Sequence, residues 1–230
     1  AKVEKNNYVR IMSEEEEEET EEKGNEEAEH FLNINYDDLE TPLKMRDMII
    51  AGNIVLSARN NNQKVAIVGD YDVDGVMSTV ILLKGLQNLG IDPIYRIPSR
   101  EEGYGINENI VDELNEKDIS LIITCDNGIA ATDAISYAKS LGLDVIVTDH
   151  HEVPKVDGKD RIPPTDAVLN PKRSDCDYPF KELCGAGVAF KLISYLYKIQ
   201  GIEEEKEKAQ CDIQAEQRKG IESASRKENL

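Results

Sequence analysis

Apolar residues along the chain fall in short dense runs, separated by longer stretches with helical spacing. Residues 64–69 (KVAIVG), 120–125 (SLIITC) and 143–148 (LDVIVT) are almost uninterrupted aliphatic runs. They are short and rich in β-branched residues, which predicts strands covered on both faces. Residues 93–97 (PIYRI) and 166–169 (DAVL) predict two shorter strands. Between them, residues 75–89 predict a helix that stops at Gly90. Residues 107–117 predict a helix opened by Asn107, and 130–141 another. Ahead of the first strand, residues 42–62 predict a helix with Pro42 in its first turn and Met45, Met48 and Ile49 at helical spacing. Near the other end, the Gly-rich turn CGAG leads into an apolar helix at about 187–200. Strands alternating with helices predict an α/β fold: a parallel five-stranded sheet with helices on both faces.

Composition sets the limits of that core. The 230 residues are 40% hydrophobic and 32% charged, enough for one large domain, or a medium domain with tails. No apolar run approaches the ~20 residues of a membrane helix. The first ten residues contain no apolar stretch of the secretory-signal type, so no leader is expected. The four Cys, at 125, 176, 184 and 211, form no CxxC pair. That favours neither a zinc knuckle nor a disulfide framework, and a reducing cytoplasm is the simplest setting.

Net charge is −19, which alone argues against unspecific coating of nucleic acid. Its distribution matters more. Residues 1–30 carry −8, residues 201–230 carry −2 and the middle carries −9. Residues 13–29 include six consecutive glutamates that repel one another and bury nothing, so 1–30 is expected to be a disordered acidic tail. Residues 31–200 form the expected domain. Residues 201–230 are expected to be a polar tail, or the cut start of a continuation.

The chemistry lies at strand ends. The first strand is followed by Asp70-Tyr71-Asp72-Val73-Asp74-Gly75, the third by Asp126-Asn127-Gly128 and the fourth by Asp149-His150-His151. Alone, each is most simply a turn or a cap. Together they pool carboxylates and imidazoles along the carboxyl edge of a parallel sheet, where ligands bind in this architecture. Carboxylates packed in a cleft need cations to remain ionised, and oxygen with imidazole nitrogen suits Mg²⁺ or Mn²⁺. Two such ions about 3.5–4 Å apart form a clamp for in-line attack at phosphorus.

The segments VAIVGDYDVDGVMSTVIL, ITCDNGI and VIVTDHHEVP resemble the DHH phosphoesterase superfamily. LETPLKMRDMIIAGNIV (39–55), IPSREEGYGIN (97–107), DAVLNPKR (166–173) and YPFKELCGAGVAFKL (178–192) narrow the resemblance to its RecJ-like branch, over roughly residues 31–200. Those are exonucleases that digest single-stranded DNA 5′→3′. The resemblance implies a hydrolase with two Mn²⁺ or Mg²⁺ ions, a single-stranded DNA partner and a place in DNA repair or recombination. It implies Asp72 and Asp74 as metal ligands, Asp70 as a further acid, Asp126 as the bridging ligand and His150 as a ligand. His151 would face the scissile phosphate, with Asp149 orienting the His pair. Arg100 is implied as a phosphate contact and Asn170 as a substrate contact. Gly185 and Gly187 would permit close packing or a backbone approach to nucleic acid. Lys172, Arg173, Lys181, Arg96 and Arg100 are expected to form a basic lip.

The pattern departs in three places. Val68 stands where many superfamily members carry a His. Only Asp212 is available for a later metal-binding Asp, and the superfamily's glycine-rich second domain (DHHA1) is not expected within these 230 residues. The alternative readings are a DHH phosphoesterase acting on short RNA, cyclic dinucleotides or pyrophosphate, and an inactive DHH scaffold. A haloacid-dehalogenase phosphatase, which also has DxD after its first strand, gives no reason for Asp-His-His.

Overall fold

The structure, a computed structural model, describes residues 39–201. The acidic N-terminal tail and most of the C-terminal polar tail expected from the sequence lie outside the described residues, as do Cys211 and Asp212. In chain order the elements are α1 (Met48–Asn60), β1 (Val65–Val68), α2 (Val73–Asn88), β2 (Ile94–Arg96), α3 (Glu108–Glu116), β3 (Leu121–Cys125), α4 (Thr132–Ser140), β4 (Asp144–Thr148), β5 (Lys155–Val156), β6 (Lys159–Asp160), β7 (Ala167–Leu169) and α5 (Gly185–Ile199). Strands β2-β1-β3-β4-β7, in that spatial order, make one five-stranded sheet in which every pairing is parallel.

The aliphatic runs become strands because both of their faces are buried. Val65 and Ile67 of β1, with Leu121 and Ile123 of β3, pack under α1, α2 and α5. Ala66 and Val68, with Ile122, Val145 and Val147, pack under α3 and α4. Period-two alternation therefore sends alternate apolar residues into two cores, which is why the sequence shows no polar face. Helix starts follow local capping chemistry. Asn107 accepts from the Ile110 amide at 3.0 Å to open α3, and Asp72 accepts from the Gly75 amide at 2.8 Å to open α2.

Two local readings change. The single helix over 42–62 is instead a 3₁₀ turn, Pro42–Lys44, followed by α1. Asp47 separates them, in the left-handed region at φ 63°. Asp accepts that conformation more readily than most residues. Here its carboxylate is drawn across the fold to the Val168 amide (3.2 Å) and to Arg173 Nη1 (2.6 Å). Met45 and Met48 are buried as their spacing predicts, whereas Ile49 is exposed. The β5–β6 hairpin adds a small antiparallel pair that the apolar pattern does not show. Its turn residues Asp157 and Gly158 both have positive φ, the Asp-Gly signature of a tight hairpin. Cys125, Cys176 and Cys184 are free thiols, and among the described residues no helix is long and apolar enough to cross a membrane.

Candidate metal centre

Sheet register places the acids. Val68 pairs with Thr124, Cys125 with Thr148, and Thr148 with Leu169. Stepping off the strand ends, Asp70, Asp126, Asp149 and Asn170 therefore lie level along one rim, and each is about 1% exposed or less. The rim is centred where the connections reverse direction. β2 lies on one side of β1 and β3 on the other, the switch point at which open parallel sheets bind ligands.

Asp126 occupies the middle. It is left-handed at φ 60°, a conformation that persists only where the surroundings hold it. Its own amide donates to Thr148 O at 2.9 Å. Asn127 secures the turn, with Nδ2 donating to Val68 O (3.0 Å) and Cys125 O (2.9 Å). Thr124 Oγ1 donates to Asn127 O at 2.8 Å. Burial pushes the Asp126 carboxyl up to about 8, and the carboxylates of Asp74 and Asp72 push the same way. His150 Nε2 lies 3.1 Å from Asp126 Oδ1 and 3.5 Å from Asp74 Oδ2.

Asp149 plays a different part. Its Oδ2 accepts from the Ile129 amide at 2.9 Å. Its Oδ1 accepts from the amides of His150 (2.7 Å) and His151 (3.1 Å) and lies 2.7 Å from His151 Nδ1. With so many donors it needs no cation, and it fixes the His pair from behind. Its hydrogen bond to His151 raises that imidazole above its ordinary range, outweighing a lowering by burial.

The cation requirement falls elsewhere. Among the described residues, the buried side-chain atoms left without a hydrogen bond are Asp70 Oδ1 and Asp126 Oδ1. The His150 ring lies within ion-pair reach of Asp126 Oδ1 but does not hydrogen-bond to it. Two sets of ligand atoms each lie within 4.8 Å of one another: Asp70, Asp72 and Asp126, and Asp126, His150 and His151. Asp126 belongs to both. Buried, unpaired carboxylate oxygens beside imidazole nitrogen fit a hard divalent cation, since isolated buried charge is otherwise strongly disfavoured.

Other residues take places that the sequence does not show. Asp74, expected as a ligand, accepts from the amides of Gly185 (2.7 Å) and Ala186 (2.8 Å) and so joins α2 to the start of α5. Gly185 in turn lies so close to Asp126 that a Cβ there would collide with Oδ1. Asn170 is wholly buried, and its amide is engaged within the chain. Nδ2 donates to His151 O at 3.0 Å and Oδ1 accepts from the Lys172 amide at 2.8 Å, so it braces the His loop where a substrate contact was expected.

Most of the expected basic lip is likewise committed to internal contacts. Arg173 is buried between Asp47 and Asp175. Arg96 pairs with Glu102 and Glu113, and Lys172 with Glu152 and Glu182. Lys181 Nζ donates to Cys176 O at 2.7 Å. Arg100 differs: it is exposed, with its guanidinium 5.5 Å from the Tyr71 ring centre, beside the first acids. Tyr104 belongs to the site and was not singled out from the sequence. Its signal there is a Tyr between two glycines, and both glycines have positive φ.

Fold and rim together define an open parallel α/β domain with a carboxylate–imidazole cation site at its switch point. The chain belongs to the DHH family: residues 64–217 match that family's N-terminal domain. It is 46% identical over 168 residues to the single-stranded-DNA-specific exonuclease RecJ of Bacillus subtilis, covering 73% of this chain and 21% of that protein. It is 40% identical over 142 residues to RecJ of Escherichia coli, covering 61% and 24%. Among solved structures, it resembles exonuclease RecJ bound to manganese at 33% identity and TM-score 0.63, over 71% of this chain and 40% of that one. RecJ of Thermus thermophilus in complex with Mn²⁺ matches at 31% identity and TM-score 0.57, over 69% and 22%. The chain thus spans 21–24% of the length of these two exonucleases from Bacillus subtilis and Escherichia coli.

Proposed function

We propose that this chain carries the catalytic domain of a divalent-metal-dependent phosphodiesterase that hydrolyses single-stranded DNA from the 5′ end. The observation that carries the reading is the pair of buried, unpartnered carboxylate oxygens on Asp70 and Asp126, with Asp126 common to two ligand sets. Asp70, Asp72 and Asp126 would hold one Mn²⁺ or Mg²⁺, and Asp126 with His150 a second. When bound, such ions supply charge neutralisation at the phosphodiester and an acidified water as nucleophile.

The chain's own groups set up the rest. Asp126, common to both ligand sets, would serve both ions. Asp149 holds His151 by Nδ1 and keeps the imidazole cationic towards higher pH, so that Nε2 can donate to a phosphoryl oxygen as negative charge builds up there. Arg100, exposed beside Tyr71, would grip a phosphate of the strand through its forked donors. The similarity to RecJ supports single-stranded DNA as the polymer.

The test uses the 230-residue chain with Mn²⁺ and a 5′-labelled single-stranded oligonucleotide. The label is expected to appear in mononucleotide first, and Asp126→Asn is expected to lower the rate by several orders of magnitude. Mn²⁺ uptake followed by electron paramagnetic resonance should fall in the same variant. Undiminished uptake or cleavage in Asp126→Asn refutes the assignment. Competition by RNA oligomers or cyclic dinucleotides at lower concentration than DNA would move the substrate class.

A further inference from the structure

Tyr104 touches two working parts of the rim at once. Its Oη donates to the carbonyl oxygen of Asp126 at 2.5 Å. The same oxygen lies 3.3 Å from each ring nitrogen of His151. The two rings meet edge-on, with centroids 5.7 Å apart and planes at 83°. The equal distances are informative. His151 Nδ1 is already held by Asp149 at 2.7 Å and the phenol gives its own proton to Asp126 O, so its oxygen meets the imidazole edge within reach of both ring nitrogens. It buttresses the imidazole against rotation.

The Tyr is itself held firmly. Gly103 and Gly105 flank it at φ 96° and 65°, and a Cβ on Gly105 would run into Asn127. The Ile106 amide donates to Asn127 Oδ1 at 3.1 Å. Residues 104–106 are therefore stapled to the Asp126–Gly128 turn at two points.

The geometry points to Tyr104 as a positioning residue that acts through Asp126 and His151. Its hydroxyl pins the left-handed backbone of the carboxylate shared by both cation positions, and it sets the angle at which His151 meets the phosphate. This role rests on the phosphodiesterase reading, and the experiment separates the two.

Tyr104→Phe keeps the ring and deletes the hydroxyl. In the full chain with Mn²⁺, kcat on a single-stranded oligonucleotide is expected to fall about tenfold or more, with KM little changed. A Tyr137→Phe control, removing a hydroxyl bonded to Asp112 outside the rim, should leave both constants unchanged. A second reading needs no turnover. In the metal-free chain, the His151 Cε1–H proton resonance should move and broaden in Tyr104→Phe, while that of His150 keeps its line width. Full turnover in Tyr104→Phe, or an unmoved His151 resonance, overturns the inference. A wild-type chain that does not cleave refutes the phosphodiesterase reading alone, and the His151 resonance then still decides the role of the tyrosine.

Discussion

Asp126 is the residue on which the site turns, and its protonation gives a test by pH. A carboxyl raised to about 8 in the native chain, against an ordinary value of 3.8, binds its proton more tightly folded than unfolded. Without divalent ions, stability should therefore decline as pH rises from about 4 to about 8. His151, raised by Asp149, pulls the same way: its contribution is complete below the unfolded imidazole value and fades as pH passes the folded one. Thermal melts in chelator across that range should show the decline, and Asp126→Asn should flatten most of it. Gly185 tests the packing around the same carboxylate. Gly185→Ala forces a methyl against Asp126 Oδ1, so Mn²⁺ affinity is expected to drop at least tenfold in a calorimetric titration while circular dichroism stays native.

At the scale of elements, the strand–helix order was legible because its physics is local. A strand buried on both faces is an unbroken aliphatic run, and a helix start is a short polar side chain that captures its own amides, as Asn107 does. What escaped depends on partners far along the chain. Asp47 takes a left-handed turn in the company of Arg173, 126 residues away, and no local pattern records that. The same holds for Asn170, which reads as a rim contact until its amide is seen bound to the His loop, and for Asp74, whose partners lie 111 and 112 residues on. Asp74 yields a prediction at this scale. Asp74→Ala leaves the first amides of α5 without an acceptor and should cost about 1–3 kcal/mol in denaturant unfolding. Mn²⁺ binding should weaken less than in Asp126→Asn, because Asp74 lies outside both shared ligand sets.

For the whole domain, the acidic rim ties folding to ions. Carboxylates at β1 and β3 end in one wall, and nearby cations such as Arg173 and Arg96 are already paired elsewhere. Ligands that bind only the native state stabilise it by mass action, so Mn²⁺ at about a hundred times its dissociation constant should add about 2.7 kcal/mol. Scanning calorimetry should show this as a rise in melting temperature of roughly 5–10 °C, absent in Asp126→Asn. A melting temperature indifferent to Mn²⁺ would argue against a native cation site.

The level alignment of the strand ends has a practical corollary for protein engineering. Each strand acts as a ruler: adding or deleting one residue within β3 would slide Asp126 off the shared level and turn its side chain to the opposite side. The Asp157-Gly158 hairpin tip obeys no such constraint, since β5 and β6 pair only with each other. A peptide tag or a fluorescent label threaded there should leave the chemistry intact, whereas a single codon gained in β3 should abolish it.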